Sequence, residues 1–187
     1  MSTVAQAEPL MTAEEFARRP DPGYPEELVR GRVVAMPPPK PRHGQVCLKI
    51  GRLLANFVEA ERLGHVLSND SGVITQRGPD TVRGADVSYY SHERVPPGPL
   101  PHDYLDVAPD LVVEVLSPSD RWPVVIQKVG EYLGAGVRLV VVLDPDERAA
   151  HVYAADRAPR VVRGDEALAL PEVFGEEFRL GLREVFG

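Results

Sequence analysis

Cysteine is almost missing from this chain, which has one in 187 residues, Cys47. No intrachain bridge can form, so a disulfide scaffold is excluded and a reducing cytoplasm is the expected compartment. Long apolar runs are missing too. The longest aliphatic stretch is Leu139 to Leu143, far short of the ~20 residues a membrane helix needs. The opening MSTVAQAEPLMTAEEF has no basic n-region followed by an apolar one, so no secretory signal is expected. An excess of positive charge is absent: net charge is −7 and the pI is about 5.3. That disfavours nonspecific, whole-surface attraction to nucleic acid. Lysine is the last scarcity, since only Lys40, Lys49 and Lys128 interrupt a basic set that is otherwise arginine.

What is present describes an ordinary globular chain. Hydrophobic residues make up 43% and charged residues 26%, close to the usual shares, and the length suits one domain with a conventional core. Residues 1–11 read as a flexible tail and 12–187 as the single domain, with no internal repeat. Thr12 to Glu15 has capping-box spacing and should open a short helix. Two short strands flank Arg30-Gly31, and the proline run after Met36 makes a stiff connection. Apolar residues from Val46 to Val58 recur at helical spacing, so residues 42–63 should form a helix. Strands are expected at 65–76, 84–90, 111–116 and 139–143, and a second helix at 120–134. A long proline-rich loop, Ser91–Pro109, separates the strands at 84–90 and 111–116. The aliphatic strands around the second helix imply parallel neighbours in a sheet covered on both faces. Added antiparallel strands and a short apolar tail finish the chain. The fold class is therefore α/β, a central mixed sheet flanked by helices.

Three residues stand out within that frame. Glu114 shares a face with Val112 and Leu116, where a lone carboxylate would be very unfavourable unless it met a cation, a metal or a donor. Asp86 alone reads as a solvent-facing strand aspartate. Lys128 falls on the apolar stripe of Trp122, Val125, Val129 and Leu133, four residues before Tyr132 and on the same face as it. In a chain that prefers arginine, a lysine there suggests a compact ammonium. Two carboxylates on separate strands and an ammonium suit metal-assisted phosphoryl chemistry, with Mg²⁺ on oxygen ligands and the cation steadying developing charge. A separate feature is the stretch from Leu28 to Val58, which has no acidic residue. Its Arg30, Arg32, Arg42, Lys49 and Arg52 are the candidates for phosphate contacts.

The motifs Glu27-Leu-Val-x-Gly31, Met36-Pro-Pro-Pro with His43, Arg83-x-x-Asp86-Val and Pro109-Asp-Leu-Val-Val-Glu114-Val-Leu-Ser-Pro118 occur in this order. Lys128-x-x-x-Tyr132, Gly136-Val and Leu143-Asp-Pro145 follow them. In this the chain resembles the bacterial Uma family of endonuclease-like proteins, within the PD-(D/E)-x-K nuclease superfamily, from about Thr12 to Phe186. The resemblance implies a restriction-endonuclease-like core and hydrolysis of phosphodiester bonds with Mg²⁺ or Mn²⁺. It places the superfamily's two acids at Asp86 and Glu114, as catalytic and metal-binding residues. The lysine usual two residues after the second acid is replaced by Leu116, and the resemblance puts it at Lys128 on the next helix. Glu27, Tyr132 and His43 would support the site. Ala85 and Val124 depart from the family pattern.

The sequence thus points to a metal-dependent endonuclease acting on nucleic acid, with DNA the expected substrate and no membrane association. Homo-oligomerisation is left open. The rival reading is a catalytically inactive nucleic-acid-binding or regulatory protein on the same fold. A sugar hydrolase using Asp86 and Glu114 leaves Lys128 without a role, and the glycines after Lys128 do not make a dinucleotide-binding loop.

Overall fold

The computed structural model describes residues 9–187; residues 1–8, most of the expected tail, lie outside the described residues. Thr12 caps α1 (Ala13–Ala17) reciprocally: its hydroxyl accepts from the Glu15 N–H, and its own N–H donates to the Glu15 carboxylate. β1 (Glu26–Val29) and β2 (Arg32–Ala35) form a hairpin whose two turn residues, Arg30 and Gly31, have φ of 50° and 74°. Two left-handed residues are what a two-residue type I′ turn demands. The Met11 N–H donates to the Gly31 carbonyl, fastening the chain before α1 to this hairpin.

α2 (Pro41–Ala60) starts on a proline, whose missing N–H costs nothing in a first turn, and buries Val46, Ile50, Leu54 and Val58. β3 (Gly64–Gln76) and β4 (Thr81–Ser91) follow as a long antiparallel pair. After the loop come β5 (Leu111–Val115), α3 (Trp122–Gly134) and β6 (Leu139–Asp144), then β7 (Ala149–Ala154) and β8 (Arg157–Arg163). The eight strands make one sheet in the order β2-β1-β4-β5-β6-β7-β8, with β3 also paired to β4. β5 and β6 run parallel and the other pairs antiparallel.

β5 and β6 send alternate residues into two cores, which is why both are almost wholly aliphatic. Leu111, Val113, Leu139 and Val141 pack with Ile50 and Leu54 of α2. Val112, Val140 and Val142 pack with Val129 and Tyr132 of α3. Two details differ from the sequence reading. Trp122 does not join the core stripe of α3; it stays 38% exposed with its ring edge-on to His151, while Tyr132 is fully buried. The last residues are more than an apolar tail: β9 (Ala167–Ala169), α4 (Pro171–Phe174), β10 (Arg179–Gly181) and α5 (Leu182–Phe186) close the α2 core. Phe57, Phe174 and Phe178 meet there with ring centroids 4.8 to 5.6 Å apart.

One irregularity of the sheet positions the site. Along one edge of β4, β3 pairs from Gly64 to Gln76. Along the other edge, β1 reaches only Val82, and β5 joins only from Val87 to Tyr89. Arg83 to Asp86 therefore face a gap between β1 and β5, where backbone groups must find partners other than a strand.

Candidate active site

Side chains fill the gap. The Gly84 N–H donates to Glu27 Oε1 at 3.1 Å, and the Gly84 carbonyl accepts from Lys128 Nζ at 2.9 Å and lies 3.4 Å from the Tyr132 hydroxyl oxygen. β1 presents Glu27, and the one-turn spacing of Lys128 and Tyr132 on α3 brings both to the same carbonyl. Lys128 also donates to Glu114 Oε2 at 3.0 Å and lies 3.2 Å from Glu27 Oε1. An ammonium has three N–H groups, and here three acceptors surround it. Tyr132 donates to the other Glu114 oxygen at 2.8 Å. Arg83 holds the outside of the cluster, donating to Glu27 at 2.7 Å and by a two-pronged contact to Glu131 at 2.7 and 3.0 Å.

Asp86 is buried, 8% exposed, and not the solvent-facing residue expected from its strand alone. Beyond Val113, where β5 no longer pairs with β4, the Val115 N–H donates to Asp86 Oδ2 at 2.7 Å. The other oxygen, Oδ1, lies 3.3 Å from His43 Nε2 on α2. Asp70 enters from β3, where the register shifts between Ser68 and Ser71 and Asn69 and Asp70 have φ of 64° and 54°. Such a bulge re-aims a side chain, and Asn and Asp tolerate the left-handed backbone it needs.

Glu27, Asp70, Asp86, Glu114 and Lys128 line one open cleft of about 290 Å³. Its other wall is the stretch from Met36 to Lys40, and Val124 and Val125 of α3 contribute to the rim. Burial, together with the charge on Asp86, pushes the Glu114 carboxyl up to about 7 against the pull of Lys128 and Tyr132. Burial works against the Lys128 ammonium, but Glu114 and Glu27 outweigh it and hold Lys128 charged. The hydrogen bond to Asp86 raises the His43 imidazole above its ordinary value. Burial and then Asp86 raise the Asp70 carboxyl. Five carboxylates, counting Glu131, thus face Lys128, Arg83 and the His43 ring, an excess of negative charge that a divalent cation would relieve.

Carboxylate oxygens are what Mg²⁺ and Mn²⁺ select, so Asp86 and Glu114, which both line the cleft, fit as ligands. Glu27 does not complete a three-carboxylate cage with them. Its oxygens are occupied by Arg83, Gly84 and Lys128, which makes it an acceptor that fixes cations. Among the described residues, the one trio of possible ligand atoms lying within 4.8 Å of one another is His43, Cys47 and Asp86.

None of the five expected phosphate-contacting residues lines the cleft. Arg30 and Arg32 lie at the β1–β2 turn, Arg42 donates to the Pro145 carbonyl, Lys49 lies against Gly187, and Arg52 is exposed on α2. A helix and a hairpin scatter neighbours in sequence over several directions. The cation of that stretch which does line the cleft is Lys40.

Comparison with known proteins agrees with this architecture. Residues 13–183 match the Uma2 family, described as "Putative restriction endonuclease". The chain belongs to the Uma2 family. A solved structure from Anabaena variabilis, titled "a putative nuclease belonging to DUF820", superposes with a TM-score of 0.80 at 23% identity. It covers 94% of this chain and 97% of that one, so the α/β fold with a mixed central sheet and flanking helices is shared. No curated protein matches the sequence. No helix among the described residues is long and apolar enough to cross a membrane.

Within this Uma2 chain, four cleft or cluster residues were not singled out in the sequence. Arg83 was visible inside a motif but carried no role, because its use depends on Glu27 and Glu131 converging from β1 and α3. Asp70 had a signal in the Asn69-Asp70 pair, a combination that favours left-handed backbone and hence a bulge. Glu131 had only its position one turn after Gln127, and Lys40 its place after the prolines within the acid-free basic stretch.

Proposed function

We propose that this Uma2 protein is a metal-dependent endonuclease that hydrolyses phosphodiester bonds of nucleic acid. DNA is the expected substrate, the cytoplasm the compartment, and residues 12–187 one nuclease domain. The observation that supports this reading most is the Lys128 ammonium, held against Glu114 in an open cleft that Asp86 also lines. Asp86 and Glu114 would hold Mg²⁺ or Mn²⁺, which when bound supplies Lewis acidity for the phosphoryl group and for water. Tyr132 and Lys128 orient Glu114, one on each oxygen, and the Val115 N–H orients Asp86.

Two N–H groups of Lys128 are engaged by Gly84 and Glu114, and the third faces Glu27 only as an ionic contact, so that contact must loosen for the ammonium to donate to a water or a phosphoryl oxygen. The longest contact, 3.2 Å to Glu27, is the one to yield. Glu27 keeps Arg83 and the Gly84 N–H when Lys128 leaves, so no bare carboxylate results. Arg83 in turn is anchored by the two-pronged contact to Glu131. Lys40, exposed on the opposite wall, offers a cation to a backbone phosphate.

The test is a cleavage assay on plasmid and single-stranded DNA with Mg²⁺, Mn²⁺ and EDTA compared. Cleavage that needs the metal and disappears in Glu114→Ala supports the reading. Binding of DNA without cleavage under either metal would instead make the chain a catalytically inactive binding or regulatory protein.

A further inference from the structure

We propose that His43, Cys47 and Asp86 form a second metal site, of the soft, zinc-binding kind, which competes with the oxygen site for Asp86. His43 and Cys47 lie four residues apart on α2, so one helix face presents an imidazole and a thiol together. Asp86 of β4 faces them across the α2–sheet interface. His43 Nε2 is 3.3 Å from Asp86 Oδ1 and 4.0 Å from Cys47 Sγ. A tetrahedral zinc with bonds of ~2.0–2.3 Å places neighbouring donors roughly 3.3–3.6 Å apart. The nitrogen–oxygen distance already has that value, whereas the thiol lies on the other side of the ring, 3.4 Å from Nδ1, so the His43 ring must turn on binding to bring Nε2 and Sγ onto one ion.

The donor set decides the class of ion. Mg²⁺ has no use for a thiol, whereas one sulfur, one imidazole nitrogen and one carboxylate oxygen suit Zn²⁺ or Co²⁺. His43 and Asp86 both line the cleft, so a fourth position would open toward it, as zinc sites with three protein ligands commonly do. Binding converts the Cys47 thiol to a coordinated thiolate and releases its proton to solvent.

Competition follows from the Asp86 oxygens. Oδ2 already accepts the Val115 N–H, which leaves Oδ1, the oxygen facing His43, as the freer donor for either ion. A soft ion seated on His43 and Cys47 would draw on that oxygen and lower the affinity of the Asp86–Glu114 pair for Mn²⁺. This consequence uses the metal-binding part of the nuclease reading, but not cleavage.

The experiment titrates metal-free full-length protein with Co²⁺ and follows its absorption. The expected result is a sulfur-to-cobalt charge-transfer band in the near ultraviolet, with the intense visible bands of tetrahedral cobalt, both displaced by Zn²⁺. Cys47→Ser should abolish the charge-transfer band. It should also weaken Zn²⁺ binding by at least roughly 100-fold, the upper end of what loss of an outer-shell partner does. Zn²⁺ should raise the apparent Kd for Mn²⁺ at lower concentration in the native protein than in Cys47→Ser, where it competes only at the oxygen site, and Cys47→Ser should bind Mn²⁺ normally when Zn²⁺ is absent. A native protein without the charge-transfer band, or a Cys47→Ser variant that binds Zn²⁺ as tightly as the native chain, overturns the proposal. Normal Mn²⁺ binding in either case leaves the oxygen site standing, and failure to cleave DNA leaves the soft site standing, so the two readings fail separately.

Discussion

Replacing Lys128 with alanine removes a cation from between two carboxylates, Glu27 and Glu114, and leaves the Gly84 carbonyl with one fewer donor. The side chains concerned are largely out of water, 6% exposed for Glu27, 14% for Glu114 and 20% for Lys128. Breaking such a pair by deleting one member costs ~3–5 kcal/mol when the remaining charge must stay buried. Glu114 can avoid part of that loss by taking up a proton. Its carboxyl already titrates at about 7 beside Lys128, and without the ammonium it must titrate higher.

The sign of the pH effect is then fixed. A carboxyl whose folded value exceeds the unfolded value of ~4.3 contributes stability while protonated, and that contribution is lost as pH rises through the folded value. In the native protein the loss is nearly complete a little above pH 7; in Lys128→Ala it continues to higher pH. The deficit of the variant should be roughly 1.5–3 kcal/mol near pH 5, from lost hydrogen bonds to charged groups. It should grow to ~3–5 kcal/mol near pH 8.5. Urea unfolding of both proteins at both pH values measures it, with an unchanged m-value showing that the unfolded states are comparable. A deficit below ~1 kcal/mol at both pH values, or one that does not grow with pH, would refute the reasoning and make Lys128 a solvated edge residue.

Under the proposed function, Lys128→Ala should also cut turnover by ~10²-fold or more, and Lys128→Arg should fail similarly, because a fork-shaped guanidinium does not replace a compact ammonium; near-normal cleavage by either variant would remove Lys128 from the catalytic set. Glu114→Ala should abolish Mn²⁺ binding in calorimetry, and equal binding by the variant would rule out that ligand. Lys40→Ala should reduce the salt dependence of DNA binding by about one contact, a slope change of ~0.9, whereas Arg52→Ala, away from the cleft, should change it less; the reverse order would put the phosphate path along α2. Tyr132→Phe should lower stability by about 1–2 kcal/mol through loss of a donor to buried Glu114, and an unchanged urea midpoint would show that the hydroxyl is replaceable by water.

How far a residue could be read from sequence depended on whether its partner was local or distant. Lys128 and Tyr132 are four apart on one helix, and Glu114 sits on the strand just before that helix, so pattern put Lys128 and Tyr132 on one face near Glu114, and the family resemblance gave them their place at the site. The alternation in β5 and β6 likewise exposed two buried strands, because each residue's face follows from a period of two. The burial of Asp86 is not visible in its own strand, because it depends on the Val115 N–H of β5, a partner 29 residues away in sequence. The same holds for the closing segment, whose Phe174 and Phe178 are apolar in any reading but acquire a place only against Phe57 of α2. The basic residues of the acid-free stretch show a limit of the same kind: nearness in sequence does not fix a shared face, and a hairpin followed by a helix sends the five expected phosphate contacts in several directions, none into the cleft.

The gap in the sheet explains why the local and distant signals meet where they do. A fully paired β4 would satisfy the N–H and carbonyl of Gly84 with a neighbouring strand, and nothing would require ionised side chains there. Because β1 stops at Val82 and β5 begins at Val87, those groups are left to Glu27, Lys128 and Tyr132. Buried charge at this point therefore replaces missing backbone pairing, and the polar cluster is in part a structural necessity. It follows that charge-preserving changes, and not alanine alone, are needed to separate the folding role of these residues from the chemical one. Glu27→Gln keeps an acceptor for the Gly84 N–H while removing the charge beside Lys128. It should loosen Lys128 and change turnover while lowering the urea midpoint less than Glu27→Ala does, since its amide nitrogen meets the Arg83 guanidinium but the Gly84 N–H keeps its acceptor. A fall in the midpoint as large as that of Glu27→Ala would show that the Glu27 charge, and not merely its hydrogen bond, closes the gap.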